Sequence, residues 1–393
     1  MKNDSIVITG IARTPIGGFM GELAGVTAPA LGAVAIAAAV ERSGVKAEDV
    51  DAVNMGCVLP AGLGQAPARQ AAMGAGLPSS VNCMTLNKMC GSGLQAVMLA
   101  HDALLTGSHD IIVAGGMESM SNAPHLLPKV RQGHRMGHGQ MLDHMLHDGL
   151  EDVYEGKLMG VYAEATVEKY RFTREQQDAY ALESLQRARV ATENGGFAGE
   201  IALVTINRGG IETEIATDQH PFAVSLEKLP RLKPAFIANG TVTAASSSAI
   251  ADGAAALVLM RADDATRRKL IPLARIVGHT SHSQAPEWFT TAPVAAINKL
   301  LDKTGWKIDE VDLFEINEAF AVVVMAAMHD LGLPHGKVNV HGGACALGHP
   351  VGASGARILV TLINAMYQRR LKRGIAAICI GGGEAVAVAV ERI

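Results

Sequence analysis

Two stretches far apart in the chain share one pattern. The first reads Cys90-Gly-Ser-Gly93, then an apolar-periodic run, then Ile111-Ile-Val-Ala-Gly-Gly116. The second reads Gly348-His-Pro-Val-Gly-Ala-Ser-Gly355, a similar run, then Ile378-Cys-Ile-Gly-Gly-Gly383. Each is a glycine-rich elbow, a helix and a strand that closes on consecutive glycines. Such self-similarity predicts a duplicated unit, with the two elbows at equivalent helix N-termini on one pseudo-twofold core. The competing explanation is the ordinary likeness of any two βαβ units.

Outward from these stretches, short β-like runs alternate with helical ones in the first and last thirds, which marks an α/β fold. Strands are expected at 6–9, 52–58, 84–87 and 111–114, and again at 274–278, 313–316, 338–341, 375–380 and 385–390. Helices are expected at 94–105, 294–301, 319–331 and 356–366. The middle third, from about 119 to 239, is rich in Arg, His and Tyr, with four of the five tyrosines, and has few β-like runs. Within it, Tyr180, Leu182, Leu185 and Ala188 recur at helical spacing, so 176–194 reads as an amphipathic helix. The expected organisation is an N-terminal half of 1–118 plus about 240–270, an inserted loop domain of 119–239, and a C-terminal half of 271–393.

Composition bounds the function. A length of 393 suits two or three domains. The chain has 34 Lys+Arg against 38 Asp+Glu, a net charge of -4, which argues against a nucleic-acid or anionic-membrane surface. Five cysteines, an odd number with no CxxC, argue against a disulfide framework or a cysteine zinc knuckle, and fit a reducing compartment. The start, Met-Lys-Asn-Asp ahead of Ser5-Ile-Val-Ile-Thr-Gly10, has no leader pattern. The uncharged run 23–40 is mostly Ala and Gly with Thr27 and Pro29 inside, so it reads as a turn and a buried helix rather than a membrane span. A cytoplasmic protein is the expectation.

Chemistry concentrates at the glycine-rich elbows. Cys90 opens a helix, where the dipole lowers a thiol pKa and favours thiolate, unless it is simply a small buried hydrophobe. Gly91-Ser-Gly-Leu-Gln-Ala96 also matches a dinucleotide loop, with Glu118 as the acid that fingerprint needs. His349, before Pro350, sits near an N-cap, as a neutral base or as a packing residue. Cys379 reads as a core strand residue, lifted only by Gly381-Gly-Gly383, whose N–H groups can face an oxyanion. Asn317 and Glu318 stand between a strand and a helix, where Asn is an N-cap or an amide aimed into a cleft. His134, His138, His144 and His147, with Asp143 and Asp148, have metal-like spacings, but Gly137 and Gly139 favour a solvated loop.

Taken together the chain resembles the thiolase family, and within it the short-chain acetyl-CoA acetyltransferases. The resemblance spans Ala12-Arg-Thr-Pro-Ile-Gly17, Gly64-Gln-Ala-Pro-Ala-Arg-Gln70, Asn87-Lys-Met-Cys-Gly-Ser-Gly-Leu-Gln95, Gly115-Gly-Met-Glu-Ser-Met120, Gly240-Thr-Val-Thr-Ala244, Asn317-Glu-Ala-Phe-Ala321 and both later elbow motifs. It implies two repeated βαβ-rich halves in a layered αβαβα body with an inserted loop domain. It implies Cys90 as nucleophile toward acetyl-CoA, His349 as its base, and Cys379 as the base that condenses a second acetyl-CoA to acetoacetyl-CoA and CoA. One oxyanion site would use His349 and a water on Asn317, the other the N–H groups of Cys90 and Gly381. CoA contacts would come from Ser248, Ala244, Phe236, Met159, Leu158, Ala319 and Phe320. No metal, prosthetic group, nucleic acid or membrane is implied, and a homotetramer is.

The chain departs from the family pattern in places. Leu158 stands where a histidine is common, and Phe222 where an arginine is usual in Thr217-Asp-Gln-His-Pro-Phe222. Ala245-Ser-Ser-Ser-Ala249 and Gly381-Gly-Gly-Glu-Ala385 also differ from the usual glycine-containing forms. These touch CoA affinity and acyl preference, not the reacting groups. The rival activities are a 3-ketoacyl-CoA thiolase for longer or branched chains and a non-catalytic thiolase-like lipid-binding protein.

Overall fold

The protein is described by a computed structural model covering residues 5–224 and 226–393, with backbone only at 226–228. Residues 1–4, ahead of the first strand, lie outside the described residues. Nine main strands run in chain order: β1 (Ile6–Arg13), β2 (Ala52–Gly56), β3 (Asn82–Leu86), β4 (Ile111–Ser119), β5 (Ala251–Arg261), β6 (Ala274–Ser283), β7 (Leu313–Ile316), β8 (Arg373–Ile380) and β9 (Glu384–Arg392). Their order is β7-β8-β9-β6-β1-β5-β4-β2-β3, and Gly17–Gly18 pairs with β5 as a tenth strand.

The duplication is visible in this order. Outward from the centre, one half runs β1, β5, β4, β2, β3. The other runs β6, β9, β8, β7, and then Val338, which bridges β7 in parallel. Parallel and antiparallel pairs fall at the same steps in both halves. The halves meet where β1 and β6 pair antiparallel, Ile6 opposite Ile276 and Ile8 opposite Ala274. Two expectations need correction. The strand expected at 338–341 is reduced to two isolated bridges, Val338 to Phe314 and Val340 to Gly342. Strand β5 was not expected at all, because Ala-Asp-Gly-Ala-Ala-Ala lacks β-branched residues; it is central and covered on both faces.

Seven helices matter here: α1 (Ala28–Ser43), α2 (Ser92–Leu105), α3 (Met159–Tyr170), α4 (Arg174–Glu193), α5 (Ala292–Thr304), α6 (Ala321–Leu331) and α7 (Ser354–Gln368). The period of two along the strands sorts side chains into layers. Ile6, Ile8, Ile112, Leu257, Ile378 and Val388 face a central core filled by α2 and α7. Val7, Ile111, Val113 and Val258 face α1 on one outer side, and Ile375, Ala377 and Ala387 face α5 and α6 on the other. That gives five layers, αβαβα.

The two central helices touch backbone to backbone. A Cβ at Gly93 would lie 2.7 Å from the Ala356 nitrogen, and one at Gly355 would lie 2.4 Å from the Leu94 nitrogen. Only glycine allows that approach.

The inserted segment holds α3, α4 and two small hairpins, His125–Leu126 with Leu142–Asp143 and Val204–Arg208 with Ile211–Ile215. Helix α4 opens on a capping box of Thr173 and Gln176. It buries Tyr180, Leu185 and Ala188 and half-buries Leu182. Buried charges pin this segment to the body. Arg13 is fully buried and bonds Glu200 and both oxygens of Asp218. Glu318 accepts from the Tyr180 and Ser184 hydroxyls, each at 2.8 Å. No helix among the described residues is long and apolar enough to cross a membrane.

Candidate active site

Strand β3 ends at Leu86, and the chain turns sharply into α2. Asn87 Oδ1 accepts from the Met89 N–H at 2.8 Å. Ser92 Oγ accepts from the Lys88 N–H at 2.8 Å and donates to the Met89 carbonyl at 2.6 Å. These bonds hold Met89 in the left-handed region, φ 46°, and present Cys90 next to it. A Cβ on Gly91 would strike Ile380 Cδ1 at 2.4 Å, so the glycine lets the end of β8 close on the elbow. Lys88 and Glu384 form an ion pair across the same gap. The N–H of Gly381 then donates to the Cys90 sulfur.

The second elbow supplies His349. Its N–H bonds the Ala249 carbonyl at 2.9 Å, after Gly348 at φ 105°. The ring's tautomer follows from its neighbours. Ser354 Oγ lies 2.9 Å from the Pro350 carbonyl, which can only accept, so the single hydroxyl proton points there. Oγ must therefore accept from Nδ1–H of His349, 2.5 Å away. That leaves Nε2 without a proton, and this atom is buried with no partner. A bare Nε2 is a base.

Burial sets the protonation of the pair. It pushes the Cys90 thiol up to about 11, against the lowering effect of N–H donors from Gly381 and Cys90 itself. It pulls His349 down to about 3, helped by the Arg357 charge. The expectation of a dipole-activated thiolate is thus corrected: desolvation outweighs the helix terminus, and the ligand-free pair is neutral thiol and neutral imidazole.

Cys90, His349 and Gly381 line one cavity of about 280 Å³. Leu158, Met159, Phe236, Ser248, Ala319 and Phe320 line it too. Ala244 does not. It is exposed beside a second hollow, with Leu185, His220 and Cys345, because the turn after Val242 faces away from the elbows. Asn317 and Cys379 are fully buried and do not line the cavity. Cys379 packs behind Phe289, Ala319 and Phe320. Its thiol is pushed well above the usual range by burial and by the neighbouring Cys90. Asn317 takes a long bond from Arg357 at 3.5 Å on its oxygen, while its Nδ2 is buried and unpartnered.

Two other readings are settled by position. Glu118 is sealed, not a ribose contact: it accepts from the N–H groups of Val58, Leu59 and Gly352 at 2.8–3.1 Å, so the dinucleotide reading fails. The histidine-rich stretch is exposed at His134 and His138, but His144 is buried and bonds Asp148 within a helical turn. Ser354 and Arg357 escaped notice in the sequence. A serine and an arginine inside an apolar helix carry a weak signal, and only the pairing of Arg357 with buried Glu315 at 2.8 Å explains the latter.

Known proteins share this sequence and fold. Residues 6–263 match the model of the thiolase N-terminal domain and residues 270–392 that of the thiolase C-terminal domain. The chain belongs to the thiolase family. An acetyl-CoA acetyltransferase of Cupriavidus necator is 50% identical over 98% of this thiolase and 99% of its own length. Acetyl-CoA acetyltransferase 2 of Arabidopsis thaliana is 49% identical over 98% and 96%. The crystal structure of the Bacillus anthracis acetyl-CoA acetyltransferase superposes with a TM-score of 0.97 over 100% of both chains at 41% identity. The Acat5 thiolase of Ascaris suum in complex with coenzyme A superposes with a TM-score of 0.93 at 41% identity, over 99% of this chain and 100% of that one.

Proposed function

We propose that this thiolase is an acetyl-CoA C-acetyltransferase, joining two acetyl-CoA reversibly into acetoacetyl-CoA and CoA. The observation that carries the reading is the unprotonated, partnerless Nε2 of His349 in the cavity that also exposes Cys90. Nε2 takes the Cys90 proton as sulfur attacks the thioester carbonyl. The tetrahedral oxyanion is met by the N–H groups of Cys90 and Gly381, each such donor worth roughly 3 kcal/mol of barrier. The carbon–sulfur bond to CoA then breaks and leaves acetyl-Cys90.

The proton count assigns Cys379. A buried neutral thiol is no base, so Cys379 gives its proton to the departing CoA sulfur and becomes a thiolate beside protonated His349. The thiolate takes the methyl proton of the second acetyl-CoA, and the carbanion attacks acetyl-Cys90. His349 returns its proton to the freed Cys90 sulfur. The enolate oxygen would be met by His349, protonated at this stage, and by a water on Nδ2 of Asn317, which is buried and unpartnered. In this reading Cys379, fully buried in the cluster that holds Phe289 and Phe320, becomes accessible in the substrate-bound site. No metal or prosthetic group is needed, since the thioester acidifies the α-proton.

A short acyl group on Cys90 would meet Met120, Leu150, Ile250 and Val351, the apolar side chains that line the cavity beside it. The pantetheine would run past Leu158, Met159, Phe236 and Ser248, with Ala244 outside the cavity, toward the nucleotide end. The homotetramer belongs to the same reading, supported by exposed Leu127, Met136, Met141 and Val153 on the inserted segment. A cytoplasmic location is supported by five unpaired cysteines. Thiolysis rates on acetoacetyl-CoA and on a longer 3-ketoacyl-CoA test the assignment. Faster turnover of the longer chain overturns it.

A further inference from the structure

Away from this cavity, His101 and Asp102 near the end of α2 meet His279 of β6. Both histidines aim a ring nitrogen at one oxygen of Asp102: His279 Nε2 at 2.9 Å and His101 Nδ1 at 3.2 Å. The rings stand edge to face, 5.0 Å apart. The two imidazoles are nearly enclosed, with side chains 11% and 12% exposed, while Asp102 is open at 55%. Among the described residues this is the one group of three metal-capable side chains, with ligand atoms all within 4.8 Å of one another.

We propose that His101, Asp102 and His279 form a binding site for a divalent transition ion of the zinc, cobalt or nickel class. Ligands held at about 2.1 Å from one ion, at tetrahedral or octahedral angles, lie about 3.0–3.4 Å apart. The two oxygen–nitrogen separations already approach that spacing. An accepting carboxylate oxygen needs a proton on each facing nitrogen, so a bound ion replaces two N–H groups with two N–metal bonds and releases any proton it displaces to solvent. Two imidazoles and one carboxylate suit borderline ions and disfavour magnesium and calcium, which want oxygen alone. The open side at Asp102 gives the ion its way in and leaves room for water as further ligands.

Position gives the site its effect. His101 and Asp102 belong to the first repeat and His279 to the first strand of the second, so one ion ties the two repeats together. Lys303, which bonds the His279 carbonyl at 3.0 Å, places a positive charge nearby and keeps the affinity moderate.

The test uses the full-length, metal-stripped protein titrated with Co²⁺ and, separately, Zn²⁺. One equivalent of Co²⁺ should give weak visible d–d bands with no strong near-ultraviolet thiolate band, and Zn²⁺ should raise the unfolding temperature. H279Q and D102N should each weaken binding by about 100-fold or more. Both should leave thiolase activity and the metal-free unfolding temperature near wild type, which separates loss of the site from loss of the fold. Binding that survives both substitutions, a thiolate-to-cobalt band, or no saturable binding overturns the proposal.

Discussion

Replacing Ser354 with alanine tests how His349 is made a base. In the native protein the Ser354 hydroxyl donates to the Pro350 carbonyl and so must accept from Nδ1 of the ring. Without it, Nδ1–H loses its partner where water does not reach, since His349 is only 6% exposed. An unmade buried hydrogen bond costs about 1–3 kcal/mol. The ring escapes part of that cost by moving its proton to Nε2, which removes the base altogether. Either route raises the barrier to Cys90 acylation, by about 5- to 150-fold at 1.36 kcal/mol per factor of ten. The assay is the single-turnover rate of acetyl-enzyme formation from acetyl-CoA, followed by quenched-flow mass spectrometry. Ser354→Thr keeps the oxygen and should recover most of the rate. An Ser354→Ala enzyme that acylates at the wild-type rate would refute the tautomer argument. So would a threonine variant that folds and is as slow as the alanine one.

Other outcomes follow from the same geometry. Cys90→Ala should form no acetyl-enzyme, whereas Cys379→Ala, lacking the proton donor to departing CoA, should acquire one acetyl group on Cys90 more slowly and make no acetoacetyl-CoA; intact-mass and peptide mapping decide, and a label elsewhere reverses the roles. Because burial lifts the Cys90 thiol to about 11, its thiolate fraction below that value grows with pH. Alkylation of Cys90 by iodoacetamide should therefore rise about tenfold per pH unit from 7 to 10, and a plateau below pH 8 would contradict the assignment. Gly355→Ala forces a methyl into the Leu94 backbone at 2.4 Å and should cost at least about 1–3 kcal/mol in urea unfolding, with a slower acylation as well; an unchanged midpoint would mean the crossing is looser than described.

How much of this was readable beforehand varied with the kind of signal. The elbows showed themselves because Gly91, Gly348 and Gly382 are fixed by close contacts or positive φ, which leaves glycine in the sequence. Strands β4 and β8 were plain because apolar residues crowd both faces. Strand β5 is hidden because its first half, Ala251-Asp-Gly-Ala-Ala-Ala256, carries no β signature. At the site, Cys90, His349 and Gly381 line one cavity, while Cys379 and Asn317 are fully buried and do not. The protonation of Cys90 is not legible in the sequence, because a helix terminus is visible there and desolvation is not. Ser354 was missed for a related reason: its role depends on which atom receives one hydroxyl proton, and only coordinates show that.

The glycine contact between α2 and α7 has a bearing on how such an enzyme diverges. A reactive residue precedes each helix, Cys90 two residues ahead of α2 and His349 five ahead of α7, and the spacing of the two helices is gauged by bare main chain rather than by side chains. The two copies are free to specialise in nearly everything except the notch where they lean on each other. A single added methyl there works as a shim, prising apart a nucleophile and a base that were never neighbours in the gene.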